Sequence, residues 1–339
     1  MNKTGKILIV KIGAIGDVVM ALSMIKAAEY KFPGAEITWV CGKIVEPILR
    51  SFPQISSIIV VNEKNLLTGN YFLQLFEIIR TWSKISFKKY DLVLVPYRDS
   101  RYKLLTLFTF KKKMRDMTGT DRLNTFIPGR YHSAEYAKLI LENDDWEMQE
   151  PGFPAITVIP DDLFKDEVHR LEGKRVILNP GGAKNLLNGG ELRRWPIEYY
   201  KLLAESLLEK GISVFLIGSE KDKWVLDFFS GMNIKSFIGR TNLTDLVYLF
   251  QKCDILVTHD TGAFHLAKLT NIRIIGLFGP VNPSERTGIK ENINIIYKGN
   301  DLACSPCYDG KNFANCDNNI CMKSIEATQV YDTIIKYLS

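Results

Sequence analysis

Histidine is scarce in this chain, with four among 339 residues, and no Ser/His/Asp or Cys/His constellation stands out among so few. A covalent nucleophile activated by an imidazole is therefore not the first expectation. Long apolar runs are missing too: nowhere do 18 uncharged apolar residues follow one another, which excludes an ordinary spanning helix. The apolar stretch after Lys3 and Lys6 is interrupted by Lys11 and Asp17 and has no small-residue cleavage site, so it does not read as a signal peptide. The expectation is a cytoplasmic protein, and its six cysteines read first as thiols or metal ligands. A net charge of +6 is modest, and no recognition module for nucleic acid accompanies it. Repeats and low-complexity tracts are absent as well.

What is present is ordinary globular composition, 46% hydrophobic and 24% charged, over a length that suggests two domains. Short β-branched runs alternate with helical patterns. Strands are expected at Lys6–Ile12, Glu36–Val40, Ser57–Val61 and Asp91–Val95, with a helix at Asp17–Lys31. Residues 147–160 carry Pro151, Pro154 and Pro160 without helical period and read as a linker. The pattern then restarts. Strands are expected at Arg175–Asn179, Ser213–Ile217, Ile255–Thr258 and Arg273–Phe278, with helices at Ile197–Glu209, Lys221–Phe229, Leu243–Lys252 and Ala263–Leu269. Such alternation implies an α/β protein of two Rossmann-like, doubly wound parallel sheets, with ligands at the carboxyl ends of the strands in a cleft between them. The expected division is residues 1–155, residues 156–322, and a last helix within 323–339 that packs back on the first domain.

Three loops carry the chemistry. The first strand runs into Lys11-Ile12-Gly13-Ala14-Ile15-Gly16-Asp17. Gly13 and Gly16 allow close approach of a ligand, but the spacing is not that of a dinucleotide fingerprint. Asp17 has two compatible roles, a helix N-cap and a general base facing the cleft. In the second half, Asn179-Pro180-Gly181-Gly182-Ala183-Lys184 is followed by Arg193-Arg194-Trp195-Pro196. Pro196 suits the first position of a helix. Paired arginines suit a diphosphate, with solvated surface charge as the plainer reading. Thirdly, Ile255–Thr258 leads through His259-Asp260-Thr261-Gly262-Ala263-Phe264-His265 into a helix. Backbone N–H groups there, with the Thr261 hydroxyl, form an anion site. Asp260 then caps the helix or accepts hydrogen bonds from sugar hydroxyls. His265 reads as a satisfied core histidine or as part of that site. Glu220, in Gly218-Ser219-Glu220, is a candidate for ribose or base, and Gly279-Pro280 for the pocket wall.

In order and spacing, Lys11–Asp17, Asn179–Gly182, Arg193–Pro196, Asp260–His265 and Gly279-Pro280 resemble the heptosyltransferases, glycosyltransferase family 9. The resemblance covers nearly the whole chain and implies the GT-B fold. It implies Asp17 as the catalytic base and donor contacts from Arg193, Asp260, Thr261, Gly262 and His265; Gly181, Lys184, Arg194, Ala263, Gly279 and Glu220, the last with a plain surface carboxylate as its alternative, complete the expected donor site from the loops themselves. The family position that usually holds Lys is Arg193 here, and the loop at 186–192 is long and polar. The implied reaction is inverting and metal-independent, from ADP-heptose or a similar nucleotide sugar to a lipid-anchored oligosaccharide of lipopolysaccharide core. Asp17 deprotonates the acceptor hydroxyl while Arg193, Arg194 and the turn at 261–263 stabilise the departing diphosphate. Rival readings are a non-catalytic nucleotide-sugar-binding protein, which could dispense with Asp17, and a sugar-nucleotide 2-epimerase.

Between Arg80 and Arg115 eleven Lys or Arg stand against two acids, Asp91 and Asp99. Aromatics interleave with these cations, a mixture suited to an anionic membrane surface or to a solvated helix face. Acceptor contacts are expected from Gly13, Gly16, Arg98, Arg101 and Lys103, in a monomer peripheral on the inner face of the plasma membrane. Cys304, Cys307, Cys316 and Cys321 have the spacing C-x2-C-x8-C-x4-C, which leaves structural zinc, disulfides and free thiols as alternatives.

Overall fold

The computed structural model describes residues 5–143, 152–182, 190–288, 290–308 and 313–339. Lys184 and residues 147–151 of the expected 147–160 linker lie outside them. The chain forms two compact units, Met1–Thr157 and Val158–Ser339.

Unit 1 contains β1 (Lys6–Val10), α1 (Ile15–Ala21), α2 (Ser23–Lys31), β2 (Glu36–Gly42), α3 (Glu46–Arg50), β3 (Ile55–Val61), α4 (Glu63–Thr68), α5 (Tyr71–Ile85), β4 (Lys89–Val95), β5 (Phe110–Asp116) and α6 (His132–Leu141). The strands form a parallel sheet in the order β3-β2-β1-β4-β5. After Lys6, β1 is buried along its length, as a central strand covered on both faces requires. The helix expected over Asp17–Lys31 is two helices, because the chain turns at Leu22. β5, of sequence FKKKMRD, lacks an apolar alternation but sits at the sheet edge, where lysines are tolerated and deter further pairing.

Unit 2 contains α7 (Asp162–His169), β6 (Arg175–Asn179), α8 (Ile197–Glu209), β7 (Ser213–Leu216), β8 (Lys235–Ser236), α9 (Leu243–Lys252), β9 (Ile255–His259), α10 (Gly262–Ala267), β10 (Arg273–Phe278), β11 (Ile293–Tyr297), α11 (Ile320–Lys323) and α12 (Ala327–Leu338). Its parallel sheet runs β11-β10-β9-β6-β7-β8. The helix expected at Lys221–Phe229 is a 3-10 segment, Glu220–Phe229, started by a capping box of Ser219 and Asp222. Val330 and Ile334 of α12 are buried in the core of unit 2, and the helix lies along α8.

Strand order reverses between β1 and β4 in unit 1, and between β6 and β9 in unit 2. Loops leaving the carboxyl ends of adjacent strands diverge at such points and open a crevice. The three chemistry-bearing loops leave β1, β6 and β9.

Candidate functional site

In unit 1 the loop after β1 is built around a buried cation. Lys11 is 2% exposed, its ammonium 4.2 Å from the centre of the Tyr97 ring and 5.0 Å from that of Tyr136. Burial lowers its pKa, and the nearby Asp17 carboxylate opposes that shift. Lys11 Nζ lies 3.6 Å from Asp17 Oδ2. Asp17 is not the helix cap: Ala14 occupies the N-cap of α1 without a side-chain bond, and Asp17 sits within the first turn. A cap must stand just outside the helix, whereas this carboxylate is inside the first turn, reaching back to the lysine. Gly16 is the second residue of α1.

Tyr97, which follows β4 across the switch point, accepts the Ile12 N–H at 2.7 Å and stacks on Tyr102 with centroids 3.7 Å apart. Tyr136 is delivered by α6, which a fully buried Glu135–Lys138 pair at 2.6 Å fastens to the segment at 125–127. Glu63 is a further finding. A Cβ on Gly13 would stand 2.3 Å from Glu63 Oε1, so glycine there is what admits this carboxyl, whose pKa burial raises. Tyr102 feels the charges of Asp99, Glu63 and Asp17 together. Of the expected acceptor cations, Arg101 is paired with Asp99 at 2.6 Å, and Lys103 with Asp116 at 3.0 Å and with the Thr118 hydroxyl. Arg98 is exposed, its guanidinium 5.0 Å from the Phe126 ring centre.

In unit 2 the loops after β6 and β9 are stitched together by Asn179, whose amide donates to the hydroxyls of Thr258 and Thr261 at 3.0 and 2.9 Å. The Gly182 peptide is gripped from both sides. Its N–H donates to Asp222 Oδ1 at 2.7 Å, and its carbonyl accepts from Arg194 Nε and Nη2 at 3.0 and 2.8 Å. Gly181 permits this, since a Cβ there would fall 2.5 Å from Asp222 Cγ, and Gly182 adopts φ +79°. Arg194, expected on a diphosphate, thus uses its fork to shape the loop, with its guanidinium 5.4 Å from the Trp224 ring centre. Trp195 anchors the pair from below: fully buried, it donates to Ile325 O at 2.7 Å and packs edge-on against Tyr200. Pro196 takes the N-cap of α8, one residue before the expected position.

Asp260 is the electrostatic centre of this edge. It is buried, with Arg193 Nη1 at 3.1 Å, Arg286 Nε at 3.9 Å and His265 Nε2 at 3.3 Å. Burial alone would raise its pKa, but the His265 hydrogen bond and the two guanidinium charges hold it well below the ordinary carboxylate range. An ionised carboxylate only accepts, so His265 must present Nε2–H to it. Burial, then Lys268, lowers His265 to about 4, and burial with Arg193 and Arg194 lowers His259 to about 3; both imidazoles are neutral at pH 7. Asp260 does not cap α10; Thr261 does, accepting from Phe264 N. Glu220 is exposed and pairs with Lys223. Gly279 is a packing position: a Cβ there would meet Cys321 Sγ and Met322 Sδ, each at 2.7 Å.

The cysteine segment folds onto that turn, with Cys307 N donating to Pro280 O and Ser305 Oγ to Gly279 O. Of the alternatives for its four cysteines, the metal tetrahedron is not formed among the described residues. Cys321 is buried under Gly279 and Cys304 and Cys316 are exposed, all as free thiols. Burial, then neighbouring thiols, raises Cys321 to about 11 and Cys307 above its usual value. Among the described residues no group of three His, Cys, Asp or Glu side chains could hold an ion.

Lys11 was detectable as a charge inside an apolar strand run. Glu63, Asp222 and Arg286 carried no local signal, since their roles depend on partners distant in sequence.

Two Rossmann-like units of parallel sheet, each with polar loops gathered at its switch point, define the GT-B class of glycosyltransferases. The model of glycosyltransferase family 9 (heptosyltransferase) matches residues 80–316, and the chain belongs to that family. Lipooligosaccharide heptosyltransferase 2 of Haemophilus ducreyi is 24% identical over 316 residues, covering 86% of this chain and 88% of the relative. ADP-heptose lps heptosyltransferase II of E. coli superposes with a TM-score of 0.74 at 20% identity, covering 98% of both chains. A family 9 glycosyl transferase from Veillonella parvula gives a TM-score of 0.75 at 17% identity, covering 100% of this chain and 98% of that one.

Proposed function

We propose that this enzyme moves a heptose-type sugar, with inversion, from ADP-heptose to a lipid-anchored lipopolysaccharide core acceptor. The acceptor binds to unit 1 and the donor to unit 2. The observation that carries the reading is Asp17: a carboxylate 40% exposed, at a sheet switch point, braced by an otherwise buried lysine. A surface cap needs no such lysine, whereas a base that must hold one orientation does. Lys11 fixes Oδ2, and the carboxylate takes the proton of the acceptor hydroxyl as that oxygen attacks the anomeric carbon. The bond to the diphosphate breaks on the opposite face, so one displacement inverts the configuration.

On the donor side Asp260 accepts hydrogen bonds from sugar hydroxyls, its charge already set by Arg193, Arg286 and His265. Arg193, held by Asp260 on one side, offers cationic charge to the diphosphate as it gains charge in the transition state. The backbone of Gly182, aligned by Asp222 and Arg194, and that of Gly262 and Ala263 line the same edge. Protein cations take the part that a metal has in other transferases, so transfer requires no divalent ion. Glu63, beside Gly13, accepts hydroxyls of the acceptor sugar.

The test is to incubate the protein with ADP-heptose and core acceptor in chelator and to determine the anomeric configuration of the product by NMR. Inversion without added metal is expected. Retention, or turnover that needs a divalent ion, would contradict the mechanism.

A further inference from the structure

Helix α5 is built with its polarity reversed. The residues it buries are Glu77, Thr81 and Ile85, with Glu77 held by Arg80 and by the Asn62 N–H. Its outward face carries Tyr71, Phe72, Phe76 and Ile79, which are 72%, 78%, 60% and 51% exposed. A helix that packs only on its own core places apolar residues inward and charge outward. Here a carboxylate is buried while four large apolar side chains face out.

The apolar surface continues past the helix. Trp82 donates to Leu104 O at 2.9 Å and meets Phe108 edge-on at 4.7 Å, and Phe87 N donates to Phe108 O, so the loop before β5 is fastened beside α5. Leu107 and Phe108 are exposed on that loop, and Phe110 at the start of β5. Phe87 adopts φ 58°, a conformation rare for a bulky side chain, and its ring is 78% exposed. Contiguous apolar surface of this kind marks an interaction site.

We propose that this face of unit 1 docks on an anionic lipid bilayer, with the aromatic side chains entering the headgroup boundary. Charge selects the occupant. Lys84, Lys88 and Lys89 are exposed around the aromatic patch and have no ion pair among the described residues. A second copy would bring the same cations against themselves, whereas aromatic and aliphatic anchors rimmed by lysine match an anionic leaflet. None of these side chains belongs to the loop at Asp17, and the proposal stands independently of the transfer reaction.

The experiment is co-sedimentation of the full chain, without donor or acceptor, with vesicles of phosphatidylcholine alone and of phosphatidylcholine with phosphatidylglycerol. Two variants accompany it, Phe72→Ser with Phe76→Ser and Lys84→Glu with Lys88→Glu; all four side chains are exposed, and circular dichroism checks the fold. The expected result is binding to the anionic vesicles that falls about tenfold or more in each variant. High salt weakens the wild type and erases the effect of the charge variant but not that of the aromatic variant. Three results would overturn the proposal: no vesicle-bound fraction, binding indifferent to both variants, or self-association in solution that the aromatic variant abolishes. Turnover of a water-soluble acceptor fragment, unchanged in both variants, separates this outcome from any failure of the transferase reading.

Discussion

Two neutral imidazoles buried beside Asp260 should make the enzyme lose stability in mild acid, well before carboxylates are protonated. The native pKa values of His259 and His265 are about 3 and about 4, while an unfolded histidine titrates near ~6.5. Between those values the unfolded chain binds protons that the native one refuses, so stability rises with pH. The contribution is complete above ~6.5 and is lost progressively as the pH falls toward the native values. At pH 5 each histidine costs about 2 kcal/mol relative to pH 7, so the pair costs about 4 kcal/mol, a large part of a typical ~5–15 kcal/mol total. Asp260 does not offset this, because its own pKa lies far below the window. The assay is urea unfolding at pH 7 and pH 5, comparing wild type with His259→Gln/His265→Gln. The wild-type curve should have a pH slope equivalent to roughly two protons near pH 5, and the double variant should lose most of it. Equal slopes in the two proteins would refute the assignment of buried neutral histidines.

Other outcomes follow from the same edge of unit 2. Asp260→Asn removes a carboxylate charge shared by half-buried Arg193 and buried Arg286 and should cost ~3–5 kcal/mol by urea unfolding, together with donor affinity by calorimetry; a loss under ~1 kcal/mol would contradict the ion cluster. Arg194→Lys keeps the charge but cannot fork onto the Gly182 carbonyl, so donor KM should rise roughly tenfold with a smaller change in kcat, and unchanged KM would argue against the loop-shaping role. Gly181→Ala drives a methyl into Asp222 and should destabilise by ~1–3 kcal/mol, measurable as a lower thermal midpoint.

The central strands were legible because parallel sheets covered on both faces are written as uninterrupted apolar runs, as in β1, β6 and β9. β5 was not, since an edge strand needs no apolar alternation and its lysines disguise it. The break at Leu22 was hidden because apolar residues continue through it. Among site residues, the glycine turns and the Asp260–His265 loop were readable from local spacing. The wiring was not. Arg193 reaches Asp260 across 67 positions and Asp222 reaches Gly182 across 40, and nothing local marks either pair. The two adjacent arginines show the same limit: they look equivalent in sequence, yet one meets a carboxylate and the other a carbonyl. The reversed polarity of α5 was equally hidden, because which face a helix buries depends on what lies beneath it.

The most direct measurement is single-turnover transfer by Asp17→Asn, with donor affinity measured on the same protein. Asparagine preserves the shape but cannot take the acceptor proton, so transfer should fall ~10²–10⁴-fold while donor affinity stays close to wild type; buried Lys11 loses its counter-charge, so the thermal midpoint falls while the protein remains folded at the assay temperature. Turnover near the wild-type rate would mean that the carboxylate beside Lys11 is not the base.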